Sequence, residues 1–159
     1  MATIILATKI KAPITRCFDL SRSIDFHKIS TAHTKETAIA GRTEGLINLG
    51  EFVTWEAVHF GIKQRLTTKI TKYESPVYFK DEQIKGIFKS MEHEHFFNES
   101  GANTLMKDVF TFKAPLGILG KLSEMIFVTR YFRKLLLQRN KIIKEFAEGE
   151  DWKKVLLNL

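Results

Sequence analysis

Two histidines and two aspartates of this sequence stand on apolar faces, at spacings that could bring them together. His93 and His95 are two residues apart in a stretch of alternating polar and apolar residues, and Asp81 and Asp108 belong to two further stretches of that kind. Side chains two residues apart on a strand point to the same face, so the four groups are predicted to face a common interior. A buried carboxylate is costly unless it is paired, and a nearby imidazole can donate to it or take its proton.

Three roles fit this constellation. It can be a hydrogen-bond network that only stabilises the interior, or the polar end of an apolar pocket that orients the headgroup of a ligand. It can also do acid–base chemistry, with His93 and Asp108 as the candidate catalytic residues. The histidine pair and one aspartate would supply three metal ligands, but nothing in the sequence shows that Asp81 or Asp108 lies opposite the pair. We therefore expect no bound metal and no other cofactor.

The same alternation extends the predicted interior to further residues. On residues 51–60, Trp55 and His59 share a face, whereas Thr54 and Glu56 take the other. The candidate ligand-binding residues form an apolar wall and a polar end. The wall comprises Phe79, Met91, Met106, Phe110, Phe112 and Phe132, and the polar end comprises Trp55, His59, Asp81, His93, His95 and Asp108.

Arg139 is a further candidate for the ligand-binding site. At about 100° per residue it falls on the same apolar stripe of the last predicted helix as Phe132, Leu136 and Ile143. Its side chain can bend to the rim of the protein. It can also point inward, where a carboxylate of the protein or of a ligand would hold the guanidinium.

Proline and glycine divide the chain into the elements that must position these residues. An apolar, β-branched strand precedes Pro13, and residues 14–30 have helical spacing with a break near Ser21–Ser23. Beyond Pro115, residues 116–148 show the spacing of one long amphipathic helix, with Gly149 as its stop signal. Its apolar stripe comprises Leu122, Met125, Thr129, Phe132, Leu136 and Ile143. Between these helical regions, strands are predicted over 35–40, 51–60, 63–73, 77–85, 87–97 and 104–113.

This order of elements predicts an α+β fold. Hairpin-length connections imply a curved antiparallel sheet of about six to seven strands. One apolar face of such a sheet needs a cover, and only the C-terminal helix is long enough to provide it. The sheet is therefore predicted to wrap on that helix, with two short helices after the first strand. A cavity remains between sheet and helix wherever the inward side chains do not fill the space.

The composition is that of an ordinary globular domain. The chain has 159 residues, of which 44% are hydrophobic and 27% charged, so one domain can form a core without disulfides. A single cysteine, Cys17, excludes a disulfide framework and a cysteine-rich zinc site. No apolar run approaches the roughly 18 residues of a membrane span, and the N-terminus lacks the pattern of a signal peptide. We expect a soluble, cytoplasmic protein.

The excess of positive charge is concentrated in the last helix. The net charge is +7, and five basic residues lie opposite the apolar stripe: Arg130, Arg133, Lys134, Lys141 and Lys144. This face can simply be solvated, or it can make weak contact with an anionic membrane or an acidic protein. Nucleic acid is not the expected partner, since no aromatic residues interleave with the basic ones.

Short motifs in a fixed order connect the chain with a known superfamily. They are Ile24-Asp25-Phe26-His27, Gly45-Leu46-Ile47, Val53-Thr54-Trp55, His59-Phe60-Gly61, His93-Glu94-His95-Phe96, Pro115-Leu116-Gly117 and Arg139-Asn140. Over about residues 3–147 the chain resembles the START and birch-pollen-allergen superfamily, SRPBCC, and within it a bacterial branch labelled polyketide-cyclase-like or lipid-transport-like. The resemblance implies the helix-grip fold and a cavity for apolar ligands, and the superfamily includes some cyclases and hydrolases.

The sequence thus supports one functional hypothesis and two alternatives. Residues 1–149 are expected to form a single helix-grip domain that binds a small apolar or amphipathic molecule, with 150–159 as a C-terminal tail. Its pocket is expected to be bounded by Trp55, His93, Met106 and Phe132. The first alternative is a cyclase-, dehydratase- or hydrolase-like enzyme that uses histidine and aspartate in the same cavity. The second is an interaction protein with a filled core, which acts through its basic helix.

Overall fold

A seven-stranded antiparallel sheet and one long helix make up most of the structure. The computed structural model describes residues 1–114 and 122–157, and the side chains of residues 122–125 lie outside that description. The strands are β1 (Ala2–Ile10), β2 (Thr37–Gly41), β3 (Phe52–His59), β4 (Ile62–Glu74), β5 (Tyr78–Lys85), β6 (Ser90–Ser100) and β7 (Asn103–Lys113). The helices are α1 (Ile14–Arg22), α2 (Ile24–Ser30), α3 (Leu122–Glu148) and α4 (Trp152–Leu156), and a 3-10 turn spans Ala32–Thr34.

The strand order is that of a meander closed by the first strand. Strands β2 to β7 lie side by side in chain order, and β1 pairs with β7 at the far edge. Every neighbouring pair is antiparallel. The helix α3 packs against β1 and α1. The predicted fold class, a helix-grip arrangement with two short helices after the first strand, is confirmed.

The register of the sheet brings the ionisable residues of three strands into line. His93 of β6 pairs directly with Asp81 of β5, and His95 pairs with Asp108 of β7. Opposite residues on neighbouring antiparallel strands hold their Cβ atoms about 4.5–5.5 Å apart, close enough for the side chains to contact. The four groups that the sequence placed on inward faces therefore meet at one point of the sheet.

The strand boundaries differ from their predictions by one or two residues in most strands and by three residues at both ends of β6. The alternation predicts a strand over 87–97, but β6 begins at Ser90 because the preceding residues form the turn. The side chain of Gln83 holds this turn: its Nε2 donates to the Phe88 carbonyl oxygen at 2.7 Å, and its Oε1 accepts from the Phe88 amide at 3.3 Å. The strand continues to Ser100, although the alternation of buried and exposed residues ends after Phe97.

The break between the two short helices falls at Ser23. This residue ends α1 and caps α2, because its Oγ accepts a hydrogen bond from the Phe26 amide at 3.1 Å. A serine side chain at this position satisfies an amide that has no partner within the helix. The predicted break near Ser21–Ser23 is therefore correct.

The helix α3 continues to Glu148, and the Gly149 amide donates to the Glu145 carbonyl oxygen at 3.0 Å. On its inward stripe Ile143 is fully buried, whereas Phe132 and Leu136 are half-buried. The predicted helical residues 116–121 lie outside the described residues, as do the side chains of Leu122 and Met125. No helix in the described part of the chain has the length and apolarity needed to cross a membrane.

Two groups of apolar side chains form the core. The larger joins α1, α2 and the C-terminal half of α3 to the sheet, with Phe18, Phe26 and Ile143 among its fully buried members. The smaller lies between β1, β6, β7 and the N-terminal half of α3. The helix α4 adds to the first group through the buried Val155, and the guanidinium of Arg16 lies 4.1 Å above the Trp152 ring.

Candidate functional site

A cavity of about 180 Å³ is lined by members of both core groups. Its walls come from α1, α2, strands β3 to β6, Phe110 of β7 and the inward side of α3. Most of the exposed wall is apolar, and it includes Ile24, Val53, Ile70 and Leu136. Protein interiors normally leave few voids larger than a water molecule. A space of this size among core side chains is therefore a candidate ligand-binding site.

Ten of the thirteen predicted ligand-binding residues line this cavity. They are Trp55, His59, Phe79, Asp81, Met91, His93, His95, Phe110, Phe132 and Arg139. Strand alternation predicted the face of the eight residues that lie on strands, and helical spacing placed Phe132 and Arg139 on the apolar stripe of the last helix. That they bind a ligand stays a prediction.

The other three predicted residues, Met106, Asp108 and Phe112, are fully buried behind the cavity wall. The Met106 sulfur accepts a hydrogen bond from the Ser21 hydroxyl at 3.6 Å, so α1 covers it. Phe112 packs against Phe88 and Phe132. The expected boundary of the pocket is therefore correct for three residues and wrong for Met106.

Asp108 is the centre of a buried polar cluster. Its Oδ2 accepts a hydrogen bond from Asn140 Nδ2 at 2.7 Å, and its Oδ1 accepts one from His93 Nε2 at 3.2 Å. The same Oδ1 lies 2.8 Å from His95 Nδ1, an ion pair whose angle is not that of a hydrogen bond. Arg139 Nη1 lies 3.9 Å away. One buried carboxylate is thus held by four nitrogen-bearing side chains.

His95 lies between two carboxylates. Its Nε2 is 3.3 Å from Asp81 Oδ1, while its Nδ1 faces Asp108. Burial alone would lower the pKa of His95, but the two carboxylates beside it, those of Asp108 and Asp81, outweigh burial and raise that pKa. Burial likewise opposes ionisation of both aspartates, yet their histidine partners lower the pKa of Asp81 and lower that of Asp108 strongly.

His93 has the opposite protonation preference. Burial and the neighbouring charge of His95 lower the pKa of His93, so its neutral form is favoured. Because ionised Asp108 can only accept, the proton of neutral His93 resides on Nε2. Its Nδ1 then carries a lone pair, and this atom has no hydrogen-bond partner among the described residues. A histidine oriented in this way by a carboxylate has the arrangement of a general base.

Arg139 points inward, which decides between its two predicted orientations. The side chain is buried, and its Nη2 donates to the Ser21 carbonyl oxygen at 3.0 Å. Its Nη1 is buried without a hydrogen-bond partner in the described part of the chain. An unsatisfied donor of a buried guanidinium is costly, so this atom is a natural contact for an acceptor on a ligand.

His59 and Trp55 do not belong to this cluster. His59 Nδ1 is 2.9 Å from the Tyr131 hydroxyl, and burial lowers the pKa of this histidine. Trp55 stacks on His27, with 4.2 Å between the ring centroids. Glu36 lies 3.4 Å from His27 Nε2. The polar residues expected at one end of the cavity therefore form two separate groups.

Sequence reasoning missed the contributions of the short helices and of Asn140. Ser21, Ile24 and His27 line the cavity, yet short helices give too few turns to assign an inward face. Asn140 lies beside Arg139 in one of the motifs that carry the superfamily resemblance, and this was the available signal. Its partnership with Asp108 depends on how α3 is placed against β7.

No protein-family model matches the chain, and no curated protein matches its sequence. Solved structures match its fold. The protein TTHA0849 from Thermus thermophilus gives a TM-score of 0.75 at 18% identity, over 92% of this chain and 97% of that chain. A START superfamily protein from Mycobacterium smegmatis gives 0.71 at 12% identity, over 92% and 97%. The major latex-like protein 151 from Panax ginseng gives 0.66 at 14% identity, over 93% and 98%.

These structures extend the likeness over nearly the whole of each chain. At such low identity the likeness shows the fold alone. The narrower labels of the resemblance, polyketide-cyclase-like and lipid-transport-like, stay predictions. The chain has the helix-grip fold of the START and birch-pollen-allergen superfamily, as its sequence motifs predict.

Proposed function

We propose that the protein binds a small apolar or amphipathic molecule in the cavity between the sheet and α3. The observation that carries this proposal is the cavity itself, about 180 Å³ in volume with mainly apolar walls. A dry cavity of about 150 Å³ accommodates a molecule the size of benzene. The space therefore suits one aromatic ring or a short branched acyl group. Within this proposal residues 1–149 form the binding domain, and its place of action is the cytoplasm.

The two ends of the cavity favour a ligand with one polar group. Met91, Phe110 and Leu136 supply wall against which an apolar body loses contact with water. Among the described residues, Arg139 Nη1 is a donor without a hydrogen-bond partner and His93 Nδ1 is an acceptor without one. A hydroxyl or an undissociated carboxyl group offers both the acceptor for Arg139 and the donor for His93, whereas a carbonyl offers only the acceptor.

Filling the cavity tests the binding proposal. In Leu136→Trp the larger side chain occupies the space that Leu136 borders, whereas Leu137→Trp adds the same bulk at a neighbouring exposed position. Native mass spectrometry and titration with the fluorescent probe ANS should show binding to the wild type and to Leu137→Trp, with at least tenfold weaker binding to Leu136→Trp. Equal binding by all three proteins would place the ligand elsewhere and reject the proposal.

Acid–base catalysis in the same cavity is the second candidate function. It is favoured by one observation, the His93–Asp108 hydrogen bond that leaves His93 Nδ1 as a base. The test is to incubate the molecule recovered by native mass spectrometry with the wild type and with His93→Gln. Conversion by the wild type alone supports an enzyme, and recovery of the unchanged molecule from both proteins leaves binding as the function. The alternative of an interaction protein with a filled core is not favoured, because a cavity lies among the core side chains.

We also propose a weak contact between α3 and an anionic surface, in a narrower form than the sequence predicted. Of the five predicted cations, Arg130, Arg133 and Lys134 are exposed and make no ion pair with a described residue. Lys141 and Lys144 are each paired with a glutamate one turn further along the helix. The three unpaired cations define the basic face of α3. Such a face gains free energy near anionic lipid, about 1 kcal/mol per residue.

A further inference from the structure

The polar cluster contains a set of atoms with the composition of a metal centre. One carboxylate oxygen of Asp81 and one ring nitrogen from each of His93 and His95 lie within 4.8 Å of one another. Zinc takes nitrogen and oxygen ligands at about 2.0–2.2 Å, so atoms that share one ion lie up to twice that distance apart. Small rotations of three side chains would therefore bring these atoms onto one ion.

The second nitrogen of each histidine already faces a carboxylate, and that of His93 forms a hydrogen bond with it. A histidine that binds a metal almost always directs its other ring nitrogen to a carboxylate, a carbonyl or water. Here His93 Nε2 and His95 Nδ1 both face Asp108 Oδ1, at 3.2 Å and 2.8 Å. Asn140 holds the other oxygen of that carboxylate at 2.7 Å. One buried aspartate thus orients both imidazoles.

This orientation leaves the opposite nitrogens for an ion. His95 Nε2 lies 3.3 Å from Asp81 Oδ1, a separation that fits two ligands of one ion at the bond lengths given above. The Asp81 side chain is 18% exposed and lines the cavity together with both histidines. An ion bound here would keep coordination positions on the side of the cavity, which a ligand atom or water could fill.

The charges of the cluster suit a divalent cation. With both histidines neutral, Asp81 and Asp108 contribute two negative charges, and Arg139 offsets one of them from 3.9 Å. A buried site with a net negative charge is stabilised by a cation. Imidazole ligands favour zinc, copper, iron or nickel over magnesium or calcium, which prefer oxygen ligands only.

We propose that Asp81, His93 and His95 bind one divalent transition-metal ion at the polar end of the cavity, with Asp108 as the carboxylate that orients both histidines. The sequence alone predicts no bound metal, because nothing in it places an aspartate opposite the histidine pair. The register supplies that placement, since Asp81 pairs with His93. Two nitrogen ligands and one carboxylate with open positions are the donor set of catalytic zinc sites and of non-haem iron sites.

The test begins with protein from which metal ions have been removed with EDTA. One sample is titrated with Zn²⁺ alone in a calorimeter, and a second is titrated with Co²⁺ while the visible absorption of the bound Co²⁺ is recorded. We expect one ion per wild-type chain. Asp81→Asn and His95→Gln should each weaken binding at least 100-fold, and Asp108→Asn should weaken it about 10- to 100-fold. His33→Gln replaces an exposed histidine and should bind like the wild type.

Several results would overturn this proposal. One such result is that the wild type binds neither Zn²⁺ nor Co²⁺. Another is that Asp81→Asn and His95→Gln bind the ion as tightly as the wild type does, which would show that the ion occupies adventitious surface sites. Circular dichroism of each variant before titration separates lost ligands from lost fold. Leu136→Trp should keep the ion while losing the organic ligand, so failure of the metal site and failure of the binding function are distinguishable.

Discussion

Replacing Asp108 with asparagine removes the central charge of the cluster and keeps the shape of the side chain. In the wild type the carboxylate accepts from Asn140 and His93 and faces the positive charges of His95 and Arg139. The variant leaves both cations without that carboxylate. Its amide also directs two donor hydrogens toward groups that are themselves donors.

The expected cost follows from burial. Asp108 is fully buried, and so is Arg139 apart from 6% of its surface. Removal of one partner from a buried ion pair typically costs about 3–5 kcal/mol, because the other charge stays buried without compensation. Domains of this size are stable by about 5–15 kcal/mol, and each 1 kcal/mol moves Tm by about 2–4 °C. Asp108→Asn should therefore lower Tm by about 6–20 °C at neutral pH.

Urea denaturation at pH 7 measures the free energy of unfolding of the wild type, of Asp108→Asn and of the control Asp151→Asn, whose carboxylate is exposed. The control should change that free energy by less than about 0.5 kcal/mol. A double-mutant cycle with Arg139→Gln should show coupling of about 0.5–3 kcal/mol. A cost below about 1 kcal/mol for Asp108→Asn, or no coupling to Arg139, would refute the view that a buried ionised carboxylate organises the cluster.

Three further predictions concern the surface, pH and a turn. The wild type should co-sediment with anionic liposomes at low salt, and changing all three residues of the basic face to glutamine should abolish this binding. If the wild-type protein stays in the supernatant, the proposed contact between α3 and an anionic membrane is excluded. Since the carboxylates of Asp81 and Asp108 raise the pKa of His95 against its burial, its stabilisation is full below about pH 6.5 and is lost as pH rises through the folded-state pKa. The stability difference between wild type and His95→Gln should therefore be larger at pH 5.5 than at pH 9, and equal differences would contradict the assignment. Gly41 and Gly50 both have positive φ, but a Cβ on Gly41 would overlap the Phe52 carbonyl oxygen, whereas Gly50 has open space. In thermal melts Gly50→Ala should cost about 1–2 kcal/mol for its backbone conformation and Gly41→Ala clearly more.

Strand alternation made the inward faces predictable. On β7 the residues from Thr104 to Phe112 alternate buried and less buried without exception, because the sheet is covered on one side only. Two of the outward positions, Leu105 and Val109, are nevertheless apolar. Alternation does not tell how far along a strand the cavity extends. Met106 and Phe112 share the predicted face but lie where α1 and Phe88 close over the sheet.

The register of the strands and the placement of α3 against the sheet could not be predicted from the sequence, for a physical reason. The pairing of Asp81 with His93 depends on the turn between β5 and β6 that Gln83 holds. A shift by one residue would reverse the faces of a strand. The pairing of Asn140 with Asp108 links residues on α3 and β7, and no local pattern encodes such a contact.

The position of His95 between two carboxylates has a consequence for how this protein can change during evolution. Without a metal ion and with His95 protonated, His95 and Arg139 carry two positive charges against the two negative charges of Asp81 and Asp108, and the buried group is then electrically balanced. A neutral substitution at any one of these positions leaves an unmatched charge in a medium of low dielectric constant. Relatives that depart from this set should therefore do so in compensating pairs, one acidic and one basic position together, and a lineage that lost only one would pass through a destabilised intermediate.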